Sequence, residues 1–378
     1  GDYTHGDYDE YERKYSHGGW LWKFLGGLMV FLLAGLALWD LFQPAGRTPD
    51  IQPNSQLEQP LGLAKLGATE HPAIPLMMLA SPRNVCFARG QLWVVGDKRL
   101  CRLDPAKGGA DPWSVNLDIE PMAIAVDESS GDCFIAAKDH VRVYDSNGKR
   151  KAIWPVIDPK AQLLDIETNG RDVFVADYAT RAVYRFDTSG TLKNTIGRKD
   201  GAYKNIPGIH LPSPYFDVVL TQSSGRYDGQ VRLTNTGKLR IDTYTYDGYF
   251  EEPLSFGQSG QSAKCFFGCC NPIRLLQMPD GHYITAEKGI QRLKEYDEAG
   301  VFLRVLANRS VLGAQRFDMA MAANPNGEIY LLDEGNSKIR VFIRKQLGPA
   351  IIRMEPPPVE KPIVVSPPPA KAKPSVAV

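Results

Sequence analysis

The chain has 378 residues, with 44 Lys and Arg against 43 Asp and Glu, for a formal net charge of +1. Binding a phosphate backbone needs concentrated basic surface, so this balance gives no global attraction to polyanions and no nucleic-acid partner is expected. A hydrophobic fraction of 43% excludes a wholly disordered chain and suffices for the core of one domain of about 270 residues.

Residues 1–19 place Tyr3, Tyr8, Tyr11 and Tyr15 among five acids. The segment is too polar to bury itself and reads as a solvated, cytoplasmic tail whose rings suit docking on a partner. From Gly18 to Trp39 the only charge is Lys23, and the apolar run Phe24–Trp39 rises about 24 Å as a helix. Trp20, Leu21 and Trp22 extend it while Lys23 snorkels, so a single membrane-spanning signal-anchor helix is expected over 20–42.

A cleaved signal peptide is the alternative, but its first region would be long and acidic, and no A-x-A site follows. Arg13, Lys14 and Lys23 precede the span and only Arg47 closely follows it. That bias predicts a cytoplasmic N-terminus in a bacterial inner membrane, with everything after the span periplasmic or extracytoplasmic. A Pro- and Gln-bearing linker is expected over 43–73.

From residue 74 to 346 a unit of roughly 40 residues recurs, each an apolar strand, a Gly turn, a second strand, a polar turn and a third strand. Second strands align on Trp93, Phe134, Phe174, Arg232, Tyr283 and Tyr330, with the longest intervals flanking Arg232. First strands read NVCFA (from Asn84), MAIAV (from Met122), LLDIE (from Leu163), FDVVL (from Phe216), IRLLQ (from Ile273) and FDMAM (from Phe317). Third strands such as AVYRFD and KIRVFI alternate apolar residues, and an outer fourth strand follows in five units. The expected fold is all-β: a six-bladed β-propeller of four-stranded antiparallel blades, preceded by the single transmembrane helix.

The sixth unit lacks a fourth strand of its own. Ile74–Ala80 is expected to supply it and close the ring, with Ala350–Met354 as the rival. Beyond Lys345 the chain becomes Pro-rich, and 347–378 reads as a polyproline-like spacer or partner-binding tail.

The stretches DVFVADYATRAVYRFDTSG, NGEIYLLDEGNSKIRVF and DGHYITAEKGIQRLKEYDEAG resemble the units of the NHL-repeat family. That resemblance implies a propeller that binds proteins, nucleic acid or ligands. A related six-bladed group includes metal-dependent lactonases, so the fold does not fix the function.

Cys265, Cys269 and Cys270 form the distinctive local motif, C-x3-C-C, just before the fifth first strand. Its readings are a disulfide bridge from Cys265 to Cys269 or Cys270, packed free thiols, or a thiolate-bound metal or iron–sulfur cluster. Vicinal pairing of Cys269 with Cys270 requires a strained turn. Cys86, Cys101 and Cys133 sit in strand patterns as core residues.

Two long connections, 197–214 and 257–272, are expected side by side on the propeller face that also receives the turns between second and third strands. They put Arg198, Lys199, Lys204, His210 and the cysteines on one candidate binding rim. Asp177, Asn235, Glu287, Asp333 and Glu334 occupy the turns of that face; they read as turn caps or as ligands for a divalent cation. The six His residues are dispersed, with no H-E-x-x-H and no nucleophile motif.

Three functions fit: a non-catalytic protein-binding scaffold subunit of a membrane or redox complex, a lactonase-like hydrolase using axial carboxylates, or a metal or cluster carrier. No catalytic residue and no definite cofactor can be named.

Overall fold

The computed structural model describes residues 65–198, 206–221, 229–313 and 318–347. The expected tail over 1–19 and helix over 20–42 lie outside these, with most of the linker and of the Pro-rich tail. No helix among the described residues is long and apolar enough to cross a membrane.

The first strand, β1 (Ala68–Pro75), belongs to the last sheet. Blade 1 comprises β2 (Pro82–Ala88), β3 (Gln91–Gly96), β4 (Arg99–Leu103) and β5 (Trp113–Asn116), and blade 2 comprises β6 (Ala123–Val126), β7 (Cys133–Ala136), β8 (Val141–Tyr144) and β9 (Arg150–Ile153). Blade 3 is β10 (Leu163–Thr168), β11 (Asp172–Asp177), β12 (Ala182–Asp187) and β13 (Leu192–Ile196). Blade 4 holds β14 (Val218–Leu220), β15 (Gln230–Asn235) and β16 (Arg240–Thr245). Blade 5 is β17 (Arg274–Gln277), β18 (Tyr283–Glu287), β19 (Arg292–Tyr296) and β20 (Phe302–Ala307). Blade 6 is β21 (Met321–Ala323), β22 (Glu328–Asp333) and β23 (Lys338–Arg344), completed by β1.

All pairings within the sheets are antiparallel, and each inner strand packs on the next, with β21 returning to β2. The result is a six-bladed β-propeller. Its apolar residues form one cluster per pair of neighbouring blades; Trp154, Phe134 and Phe186 join blades 2 and 3, for example. Both faces of each blade are covered, which is why β3, β7 and β11 are buried along most of their length instead of alternating.

The turns between third and fourth strands follow one local rule in blades 2, 3 and 5. Asp145, Asp187 and Asp297 each accept the backbone N–H groups two and four residues ahead, at 2.8–3.0 Å. Gly148, Gly190 and Gly300 supply the left-handed residue of the same turns.

Ring closure comes from the N-terminal side, but with a different segment from the one expected. The closing strand is Ala68–Pro75, so it takes in the end of the expected linker, while Leu76–Ala80 crosses to blade 1. Two prolines explain the shift: Pro72 falls in a break of register between His71 and Ile74, and Pro75 ends the strand. Glu70 locks the register by accepting two hydrogen bonds from Arg340, both 2.6 Å. The rival segment Ala350–Met354 lies outside the described residues.

Two other expectations shift. β21 starts at Met321, later than the FDMAM pattern implied, after a left-handed turn at Met319. Blade 4 has three strands where four were expected. The outer edge of β16 is covered by the loop 249–256, whose Phe256 exchanges two backbone hydrogen bonds with Ile241 and whose Ser255 hydroxyl accepts from Thr243. A free edge is thereby avoided without a regular strand.

Ile74, 3% exposed, carries β1 into the core between blades 6 and 1. Ile74→Ala is expected to lower unfolding free energy by about 2–4 kcal/mol in urea titrations, against less than about 0.5 kcal/mol for Val301→Ala. Val301 is 58% exposed. Equal effects would mean that β1 does not contribute to closure.

Candidate functional site

Strand direction alternates, so turns between second and third strands and connections between blades share one face, called here the loop face. Near the start of each inner strand, on the side of that face, lie the residues called here axial: in chain order Asn84, Ala123, Asp165, Asp217, Arg274 and Asp318, the last of them three positions before β21.

Three of these residues clasp the following blade. Asn84 Oδ1 accepts from the Ile124 N–H at 3.4 Å, Asp165 Oδ2 from Val218 at 2.9 Å and Asp217 Oδ2 from Leu275 at 2.6 Å. Arg274 then ties three blades together: it donates to Asp217 Oδ1 at 2.7 Å, to the Asp318 carboxylate and to the Asp318 carbonyl at 3.3 Å.

Burial pushes the Asp165 carboxyl well above the usual range, and the Asp217 charge pushes it further. Asp217 is also raised by burial, against the pull of Arg274. Burial would discharge Arg274, but Asp318, Asp217 and Asp165 outweigh it and hold the guanidinium charged. Glu334 is pushed up to about 7, by burial first and then by Asp318. One cation among this many acids keeps the site electrostatically tolerable only if some carboxyls stay protonated.

Toward the opposite face blades 1, 2 and 3 line a cavity of about 320 Å³, with Cys86, Ala125, Glu167, Asn169, Asp127 and Glu128 in its wall. Asp127 is committed to its own turn through Ser129 and Ser130, and Glu128 accepts from the Arg89 N–H. Burial, followed by the charge of Asp217, raises Glu167 to about 8, although the cavity leaves the side chain partly accessible.

The turn residues expected as cation ligands are placed separately. Asp177 accepts from Gln162 N at 2.8 Å, Ala179 N at 3.0 Å and Thr180 Oγ1 at 2.6 Å, as a turn cap does. Asn235 accepts from His210 N at 2.9 Å and donates to Asp242 at 2.6 Å, while Asp333 accepts from Asn336. Glu287 is fully buried between Lys294 at 2.8 Å and Arg292 at 3.0 Å. Among the described residues no three His, Cys, Asp or Glu side chains converge as a metal site. The axial acids do not fit a divalent cation either, because the Arg274 guanidinium already lies among them.

The two long connections reach the same turn of blade 5: Lys288 Nζ lies 3.3 Å from Ser213 Oγ and 4.3 Å above the Tyr215 ring, and the Lys288 N–H donates to Asn271 Oδ1 at 2.9 Å. His210 is exposed beside Asn235, and Arg198 ends a described stretch; Lys199 and Lys204 lie outside the described residues.

The cysteine loop is wedged into the interface of blades 4 and 5. Phe266 is fully buried against Tyr296, and a Cβ on Gly257 would come within 2.3 Å of its ring. Beneath it, Lys294 donates to the Cys265 carbonyl at 2.9 Å and sits 4.0 Å from the Phe266 ring centre. Burial lowers Lys294 to about 8 despite Glu287.

The three thiols do not converge. Cys265 Sγ accepts from Ser262 Oγ at 3.2 Å, a contact that lowers its pKa. Cys269 and Cys270 instead put their sulfurs 2.7 Å apart, and the expected bridge from Cys265 is not formed. Cys270 adopts a left-handed φ of +67°.

The axial residues were missed because their partners are 44–58 positions apart in the chain. Part of their signal was in the alignment: Asp, Arg and Asp share the second position in FDVVL, IRLLQ and FDMAM, while Asp165 stands third in LLDIE.

The fold is similar to that of a luciferin-regenerating enzyme, at 13% identity and a TM-score of 0.50, covering 76% of this chain and 94% of that one. A streptogramin B lyase aligns at 10% identity and a TM-score of 0.49, covering 75% of this chain and all of the other. A virginiamycin B lyase from Staphylococcus aureus aligns at 14% identity and 0.48, covering 70% and 81%. Likeness at such identity bears on the fold alone. No protein-family model and no curated protein matches the chain.

Two measurements test the electrostatics. Arg274→Met strands buried carboxylates and is expected to cost about 3–5 kcal/mol in urea unfolding, with part of the loss recovered by adding Asp217→Asn. Glu167 binds its proton up to about pH 8 in the folded ring but only to about 4.5 when unfolded. The folded state therefore holds the extra proton between those values, and stability falls as pH rises through that window. Glu167→Gln should flatten Tm between pH 5 and 8 and stabilise the protein at pH 8 by about 1–2 kcal/mol, the shift being discounted for cavity water. An unchanged slope would show that Glu167 titrates normally.

Proposed function

We propose that this chain is a membrane-tethered, non-catalytic β-propeller that binds other proteins through its loop face, as a subunit of a larger membrane or redox assembly. The observation that carries this reading is Arg274. Converging axial carboxylates would be the natural seat of hydrolytic chemistry, and here their oxygens are taken by the guanidinium and by the amides of the next blade. The surface left for recognition is the sector of blades 4 and 5, where two long connections rest on a rigid ring.

The remainder of the reading comes from the sequence. The apolar run over 20–42 would tether the ring at the outer side of a bacterial inner membrane, and the Tyr-rich and Pro-rich tails add sites for partners. The NHL-like repeat pattern agrees with a binding role.

Extraction of the full chain in mild detergent is expected to recover stoichiometric partner proteins. A clean monomer would overturn the scaffold reading. A rise in Tm on adding Ca²⁺, abolished by Asp217→Asn, would instead favour the hydrolase.

A further inference from the structure

We infer that Cys269 and Cys270 form a redox-active vicinal pair on the loop face, a dithiol that closes to a disulfide by exchange with a small-molecule disulfide. This is independent of whether the ring binds a partner protein. Three observations carry it.

The first is placement. Consecutive Cα atoms are about 3.8 Å apart across a trans peptide, below the usual spacing of bridged cysteines, so neighbouring thiols meet only where the backbone bends unusually. Here the two sulfurs lie 2.7 Å apart, and Cys270 takes the left-handed conformation that residues other than glycine seldom adopt. It is also held from outside the pair: the Asn271 side chain donates to the carbonyls of Phe267 at 2.7 Å and Lys288 at 3.2 Å, and accepts from the Lys288 N–H at 2.9 Å.

The second is asymmetry of access. Cys269 is exposed and Cys270 is buried behind it, the arrangement of an attacking thiol and a resolving one. The third is exclusion of the remaining thiol. Cys265 is buried, its sulfur held by Ser262 and its carbonyl pinned by Lys294 and Arg292, so it does not compete for the pair.

The exchange has two steps. The Cys269 thiolate attacks one sulfur of the oxidant, forming a mixed disulfide and expelling one thiolate. The Cys270 thiolate then attacks the Cys269 sulfur and expels the second half of the oxidant as thiolate. The protein loses two electrons and two protons overall, and the oxidant becomes two thiols.

Cleavage after Lys264 and Arg274 releases one peptide bearing all three cysteines. The reduced full chain is treated with oxidised glutathione, quenched, alkylated and examined by mass spectrometry. The peptide is expected to have lost two hydrogens and to carry one alkyl group and no glutathione. Cys265→Ser should still lose two hydrogens but take no alkyl group, while Cys270→Ser should trap one glutathione on Cys269. Three alkyl groups, a persistent glutathione adduct on the unaltered chain, or loss of oxidation in Cys265→Ser would each overturn the inference. Cys265→Ser keeps the test decisive even if Cys270→Ser does not fold.

Discussion

One guanidinium at the axis holds the inner strands together. Arg274 lies within reach of carboxylates from two other blades, and one of them, Asp217, also accepts the backbone amide of Leu275. An inner strand has no hydrogen-bonding partner on its axial edge, so its amides there need acceptors from elsewhere. Asn84, Asp165 and Asp217 provide them. Acids packed this closely repel one another, and Arg274 is the group that makes their convergence tolerable. The same economy removes those oxygens from chemistry, so the positions that brace the ring are not free to act on a substrate.

The interface of blades 4 and 5 departs from the other five in its apolar content. It contains the smallest set of hydrophobic side chains, supplemented by Phe256 and Phe266 from loops. It also buries Glu287, Arg292 and Lys294, and Arg232 lies over Tyr283 at 4.4 Å with two guanidinium nitrogens lacking hydrogen-bond partners. A three-stranded blade leaves space that a fourth strand would fill. The loop 257–272 occupies part of it, so this loop serves packing as well as display. That dual duty accounts for its length and for the rigidity of the backbone around Asn271.

Much of this was legible in the chain. Period-two alternation with one bulky residue per second strand located every blade, because local strand geometry depends on neighbours in sequence. Asp177 was readable as a cap for the same reason: its partners are mostly two or three residues away. What escaped depends on distance or handedness. Pro72 and Pro75 moved the closing strand, blade 4 traded a strand for a loop, and Cys269 met the sulfur of its neighbour Cys270, which takes a left-handed backbone conformation. Arg274 stood in plain view at a position it shares with Asp217 and Asp318, but only the closed ring brings the three side chains together.

The closing strand has a consequence for assembly on the ribosome. Glu70 and Arg340, which lock the last sheet, are separated by 270 residues. The strand that completes the ring is thus among the first parts of the propeller to be made, and it must wait for nearly the last. Until then the blades form an open arc with one unmatched flank at each end, and contacts of such long sequence separation are slow to form. A chaperone meeting this protein would find its vulnerable surface at the seam between blades 6 and 1, two interfaces around the ring from the loop of Cys265, Cys269 and Cys270.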